Sequence, residues 1–104
     1  MEDAVGPVLR MTEEVERVVQ AIMDDNPDRP IEVIGYGSYV RVQAKGYLRV
    51  SLASLQRHLG GAFEMRQLGL LLSAFAGRIA TTTDEVSWSL TTSSETDVRE
   101  GNER

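Results

Sequence analysis

Tyr39-Val40-Arg41-Val42-Gln43-Ala44, then Lys45-Gly46, then Tyr47-Leu48-Arg49-Val50: residues 39–50 decide the fold. Both arms alternate with period two, the mark of strands with one buried face. Val40, Val42 and Ala44 share one side, and Tyr39, Arg41 and Gln43 share the other. Lys45-Gly46 predicts a tight turn between them. Upstream, β-branched Ile31–Ile34 and the turn Gly35-Tyr36-Gly37-Ser38 predict a further strand, so the expectation is an antiparallel meander.

Before the meander lies an amphipathic helix. Val15, Val18, Val19, Ile22 and Met23 follow the i, i+3, i+4, i+7, i+8 stripe of a helix packed on one face. Thr12 is the expected N-cap, Glu13 and Glu14 suit the positive end of the helix dipole, and Asp24–Pro30 stops the helix. The opening segment Val5-Gly6-Pro7-Val8-Leu9 is apolar but contains a proline, which predicts an edge strand or extended arm.

After the meander, Ser51 is the expected cap of a second helix in which Leu52, Leu55 and Leu59 share a face, with Gly60 as its exit. A third helix, Met65–Leu72, groups Met65, Leu68, Leu71 and Leu72 and leaves Leu70 outside the stripe. A small-residue corner follows, Ser73-Ala74-Phe75-Ala76-Gly77, in which Phe75 is expected in the core. Arg78–Thr83 and Val86–Leu90 read as a last hairpin around Asp84-Glu85. The order is β-α-β-β-β-α-α-β-β, which is α+β with helices covering mainly antiparallel strands. Residues 1–91 form one domain; 92–104, with Val98 as the only large apolar residue, are expected to be a flexible acidic tail.

Composition narrows the function. The 104 residues carry 16 acidic against 11 basic side chains, a formal charge of −5, and the basic ones are scattered. Nucleic-acid binding is not expected, because phosphate neutralisation supplies much of that affinity. Cysteine is absent, which removes disulfides, thiolate nucleophiles and cysteine-ligated metals. The N-terminus lacks a signal peptide's pattern and no apolar run could span a bilayer, so a cytoplasmic protein is expected. His58, the single histidine, falls late in the second helix, where a surface position suffices to explain it. Glu13-Glu14, Asp24-Asp25 and Asp84-Glu85 sit at a helix start and two turns and form no metal-ligand spacing. Gly35-Tyr36-Gly37-Ser38 feeds a strand rather than a helix, unlike a phosphate loop. No catalytic residue, cofactor or metal site is expected, and the residues alone point to binding or regulation.

Several segments carry a resemblance. Val5-Gly6-Pro7-Val8-Leu9-Arg10, Asp25-Asn26-Pro27, Tyr39–Ala44 with Gly46-Tyr47-Leu48, Leu59-Gly60 with Phe63 and Met65, and Leu72–Ile79 followed by Asp84 and Trp88 span residues 5–90. In order and spacing the chain resembles the coupling or effector proteins of bacterial multicomponent diiron monooxygenases, most of all the toluene and alkene monooxygenase branch. It departs at Gln67, where that family often has an acidic residue, and in its longer acidic tail. The resemblance implies a cofactor-free regulatory subunit, monomeric when free, whose partner is the diiron hydroxylase. Such a protein binds near the hydroxylase active site and tunes substrate access, oxygen activation and coupling. The contact residues expected on that basis are Val5, Gly6, Pro7, Asn26, Pro27, Tyr39, Arg41, Ser73, Ala76 and Gly77. A small-molecule-binding α+β regulatory module is the alternative, and a free-standing enzyme a third and weaker reading.

Overall fold

The computed structural model describes residues 2–90, so the tail expected at 92–104 lies outside the described residues. The elements are β1 Ala4–Arg10, α1 Val15–Asp25, β2 Glu32–Gly35, β3 Tyr39–Lys45, β4 Tyr47–Ser51, α2 Leu52–Leu59, α3 Met65–Leu71, β5 Leu72–Ala76, β6 Arg78–Thr81 and β7 Glu85–Ser89. The α+β class stands, with one strand more than the sequence predicts. The strands form two antiparallel sheets, ordered β2-β3-β1-β5 and β4-β7-β6.

Three corrections follow. The expected meander does not form, because β3 pairs with β1 and β2 whereas β4 pairs with β7. Gly46, at φ +80°, turns the chain from one sheet to the other rather than closing a hairpin. Second, β1 is not an edge strand but runs between β3 and β5. Its ladder to β3 has a gap at Gly6 and Pro7 and resumes in the same register at Val8–Arg41, which accommodates a residue with no N–H. Gly6 itself has φ +142°, and a Cβ there would lie 2.1 Å from the Val42 carbonyl oxygen, so only glycine fits. Third, the small-residue corner is strand β5, paired to β1 with a bulge between Val8 and Leu9.

The helices follow their signals more closely. Val15, Val18, Val19 and Ile22 are buried as the stripe requires, while Met23 at its end is 38% exposed. α1 begins later than Thr12 suggests: the Thr12 hydroxyl accepts the Glu14 N–H at 3.2 Å, and Glu14 is the N-cap. Ser51 caps α2, its hydroxyl accepting the Ser54 N–H at 3.1 Å, and Gly60 leaves the helix with φ +107°. At α3 the Gln67 amide oxygen accepts the Glu64 N–H at 2.7 Å, so a neutral residue there still closes a capping box. Leu70 is 75% exposed, as its place outside the stripe requires.

One core joins both sheets to α1 and α2, with Val5, Leu9, Val18, Ile22, Val42, Leu48, Val50, Leu55 and Trp88 at its centre. Trp88 is fully buried, and its indole N–H has no acceptor among the described residues. Burying an indole contributes roughly 4–6 kcal/mol, against about 1–3 kcal/mol for the unsatisfied donor. Packing wins at this position.

Candidate docking surface

Among the described residues no group of three or more His, Asp or Glu side chains could hold a metal. The one histidine is engaged locally: His58 Nε2 lies 2.6 Å from Asp24 Oδ2, with Arg57 Nη1 3.4 Å from the same oxygen. That hydrogen bond holds the Asp24 carboxyl below its ordinary pKa. No nucleophile stands beside this pair, so it clasps α2 to the end of α1.

A second polar group is the junction of α1, β4, α2 and β7. The Asn26 amide donates to the carbonyls of Ile22 and Arg49, both at 2.6 Å, and accepts the Arg49 N–H at 3.2 Å. Asp25 accepts the Ser51 N–H at 2.6 Å and the Ser54 hydroxyl at 2.7 Å. The Arg49 guanidinium makes two bonds of 3.2 Å to Glu85, which raises its pKa further, and reaches 4.0 Å from Asp25. Each side chain here has a partner inside the protein. The junction is structural.

The outer face of the four-stranded sheet differs. Alternation along β3 turns Val40, Val42 and Ala44 to the core and Tyr39, Arg41, Gln43 and Lys45 to the other face. There Tyr39 and Lys45 are exposed, Arg41 is partly covered and Gln43 is 7% exposed. Directly opposed residues of antiparallel strands share a face. Ile34 opposes Arg41, Arg41 opposes Val8 and Val8 opposes Ala74, so one row crosses all four strands. Tyr39 opposes Arg10, and Lys45 opposes Ala4. At the β2–β3 turn the exposed Tyr36 ring lies 5.5 Å from the Arg41 guanidinium carbon, a cation–π stack. The Arg41 Nε is buried and has no acceptor.

The sequence-predicted residues therefore divide. Tyr39 and Arg41 lie on the outer face, and Ala76 joins them on β5 through the β1 pairing, beside exposed Ser73. Val5, Gly6 and Pro7 are buried, and in this conformation offer little to a partner. Asn26 is 5% exposed and occupied in the junction, whereas Pro27 is exposed beside it. Gly77 is small for an internal reason, since a Cβ there would lie 2.5 Å from the Ser89 carbonyl oxygen and 2.7 Å from Val5. Phe75, expected in the core, is 42% exposed because β5 is an edge strand. Sequence reasoning missed Val8 and Arg10, which only the strand register brings to this face, and Tyr36, which its stack on Arg41 places there.

An apolar groove of about 650 Å³ separates α1 from β2, lined by Met11, Val15, Val19, Met23, Val33 and Val40 with Gln20 and Arg17 among its polar members. No helix among the described residues is long and apolar enough to cross a membrane.

Fold and site define a class: a small α+β protein that presents a half-buried sheet face, with no catalytic or metal-binding constellation among its described residues. The chain belongs to the MmoB/DmpM family, whose model matches residues 3–89. It is 33% identical over 87 residues to the effector subunit of the alkene monooxygenase system of Xanthobacter autotrophicus (strain ATCC BAA-1158 / Py2), an alignment covering 84% of this chain and 86% of that protein. Its fold is that of a chain in a phenol hydroxylase–regulatory protein complex, with TM-score 0.73, 21% identity, and coverage of 83% of this chain and 97% of the other. Regulatory protein B of soluble methane monooxygenase shares the fold at TM-score 0.64 and 20% identity, over 86% of this chain and 66% of that one.

Proposed function

We propose that this protein is the cofactor-free regulatory subunit of a multicomponent diiron monooxygenase. It docks on the hydroxylase component near the active site and tunes substrate access, oxygen activation and the coupling of electron transfer to hydrocarbon oxidation. Family membership over residues 3–89 carries this reading. The outer sheet face supports it by offering a surface whose cations, Arg10, Arg41 and Lys45, make no ion pair among the described residues. Tyr36, Tyr39, Arg41, Ala74 and Ala76 are the proposed contacts on that face, with exposed Ser73 and Phe75 along the β5 edge and Pro27 at its own turn. The free protein is a cytoplasmic monomer in this reading.

The test is reconstitution of hydroxylase and its electron-transfer components with and without this chain. Omission is expected to leave turnover slow and much of the reductant consumed without product. Full coupled turnover in its absence would sink the reading. The groove between α1 and β2 is the one observation that favours a small-molecule-binding module instead, its size being typical of ligand sites. Thermal stabilisation of the isolated chain by a small apolar compound, with no effect on hydroxylase turnover, would support that alternative.

A further inference from the structure

The charge of the outer sheet face is opposite to that of the whole chain. The protein carries a formal −5, yet Arg10, Arg41 and Lys45 converge on this face against a single carboxylate, Glu32. Glu32 is already engaged, accepting a hydrogen bond from the Gln43 amide across the strand pair. Among the described residues none of the three cations takes part in an ion pair, whereas Arg49, Arg57 and Arg66 each do. Arg41 is the most constrained of them. Its head stacks on Tyr36, and its Nε is desolvated with no acceptor. The covered Nε costs stability and holds the head in place. The rest of the guanidinium, on a residue only partly buried, is what an incoming carboxylate would meet with a charge-assisted bond.

We infer that the surface of the hydroxylase covering this face is acidic: it presents carboxylates to Arg41 and to Arg10 or Lys45, and an apolar side chain between them to the Ile34–Val8–Ala74 row. The inference rests on the proposed regulatory role and adds the chemistry of the partner surface. Arg41 and Lys45 are four residues apart on one strand, so the carboxylates they meet are spaced by roughly 13 Å. Seven residues of β3 by four strands give a face of about 20 Å by 15 Å. That is below the roughly 800 Å² per partner of a specific interface, so the rim at Tyr36, Ser73 and Phe75 must contribute. Three cations on so small a face also fall short of the six to ten phosphate contacts, roughly, of a strong nucleic-acid site.

The test measures binding of the full chain to the hydroxylase by calorimetry and stopped flow across a salt series. Arg41→Glu is expected to raise Kd by at least about tenfold, chiefly through faster dissociation. Arg10→Glu and Lys45→Glu, at exposed positions, should slow association and flatten its salt dependence. Arg66→Glu, on α3 rather than on the sheet and paired with Glu64, should leave both unchanged, and thermal melts of each variant report whether it is folded. Unaltered affinity in folded Arg41→Glu, or salt-independent association of the natural chain, overturns the acidic complement while leaving the regulatory role intact. Failure of the natural chain to bind the hydroxylase at all overturns both. Tighter capture of a single-stranded RNA oligomer than of hydroxylase, lost in Arg41→Glu, would also overturn it by assigning the cations to phosphates.

Discussion

Two polar regions of this molecule stand in opposite conditions. At the junction of α1, β4, α2 and β7, Asp25, Asn26, Arg49, Ser51, Ser54 and Glu85 bond to one another and to backbone. On the outer face of the β2-β3-β1-β5 sheet, Arg10, Arg41 and Lys45 have no ion-pair partners among the described residues, and Arg41 holds a buried donor with no acceptor. The first region spends its polarity on the fold. The second keeps it available, as a docking surface requires. Asp25-Asn26-Pro27 and Tyr39–Ala44 look alike as candidate segments in the sequence, and only their hydrogen bonds tell them apart.

The largest test of this contrast is Asn26→Ala. It removes three hydrogen bonds at a site 5% exposed and leaves backbone groups of Ile22 and Arg49 unpaired. A loss of roughly 2–4 kcal/mol in denaturant unfolding is expected. A loss below about 1 kcal/mol would mean that water satisfies those groups and that the junction is not a fold determinant. Asp25→Ala ranks next, at about 1–3 kcal/mol, because it strands the Ser51 N–H and the Ser54 hydroxyl beside Arg49. A double-mutant cycle with Ser54→Ala should show coupling of order 1 kcal/mol, and additivity would deny that the two act together.

Arg41→Met probes the other region and should behave in the reverse sense. It removes a desolvated donor and keeps a long apolar stem over Tyr36 and Val8, so stability should stay within about 0.5 kcal/mol of the natural chain or rise. Affinity for the hydroxylase should nonetheless fall. Lost stability with unchanged affinity would make Arg41 a fold residue and erase the comparison.

How far the sequence foretold this depends on the kind of information each signal carries. Alternation from Tyr39 to Val50 reports which side of a strand is buried, and Val40, Val42, Ala44, Leu48 and Val50 are buried as read. It carries nothing about which strand lies alongside, and Lys45-Gly46 is as good a turn between two sheets as within one. Pro7 was misleading for a related reason. A missing N–H excludes a continuous ladder, and β1 meets that demand with a gap rather than with an edge. Ser73–Ala76 has neither alternation nor β-branched residues, so its strand state comes from pairing with β1, a tertiary effect. The candidate face was therefore only half legible: Tyr39, Arg41, Ser73 and Ala76 were visible as residues, while the row that joins them is a product of register.

The smallest expected effect separates the two regions by pH. Asp24 is exposed at the end of α1, and the His58 hydrogen bond, with Arg57 nearby, lowers its pKa from the ordinary 3.8. A carboxyl whose pKa falls on folding contributes stability that is fully present above its unfolded value. That contribution is lost as the pH drops through the lower folded value. Acid titration of unfolding should therefore show a modest decline beginning near pH 4, and Asp24→Asn should flatten that part of the curve. His58→Gln should do the same by removing the largest cause of the shift. Hydroxylase affinity above that range should be unchanged in both variants, because the clasp joins α1 to α2 and lies off the sheet face. An affinity loss in Asp24→Asn equal to that of Arg41→Glu would extend the docking surface around the helices and require the boundary between the two regions to be redrawn.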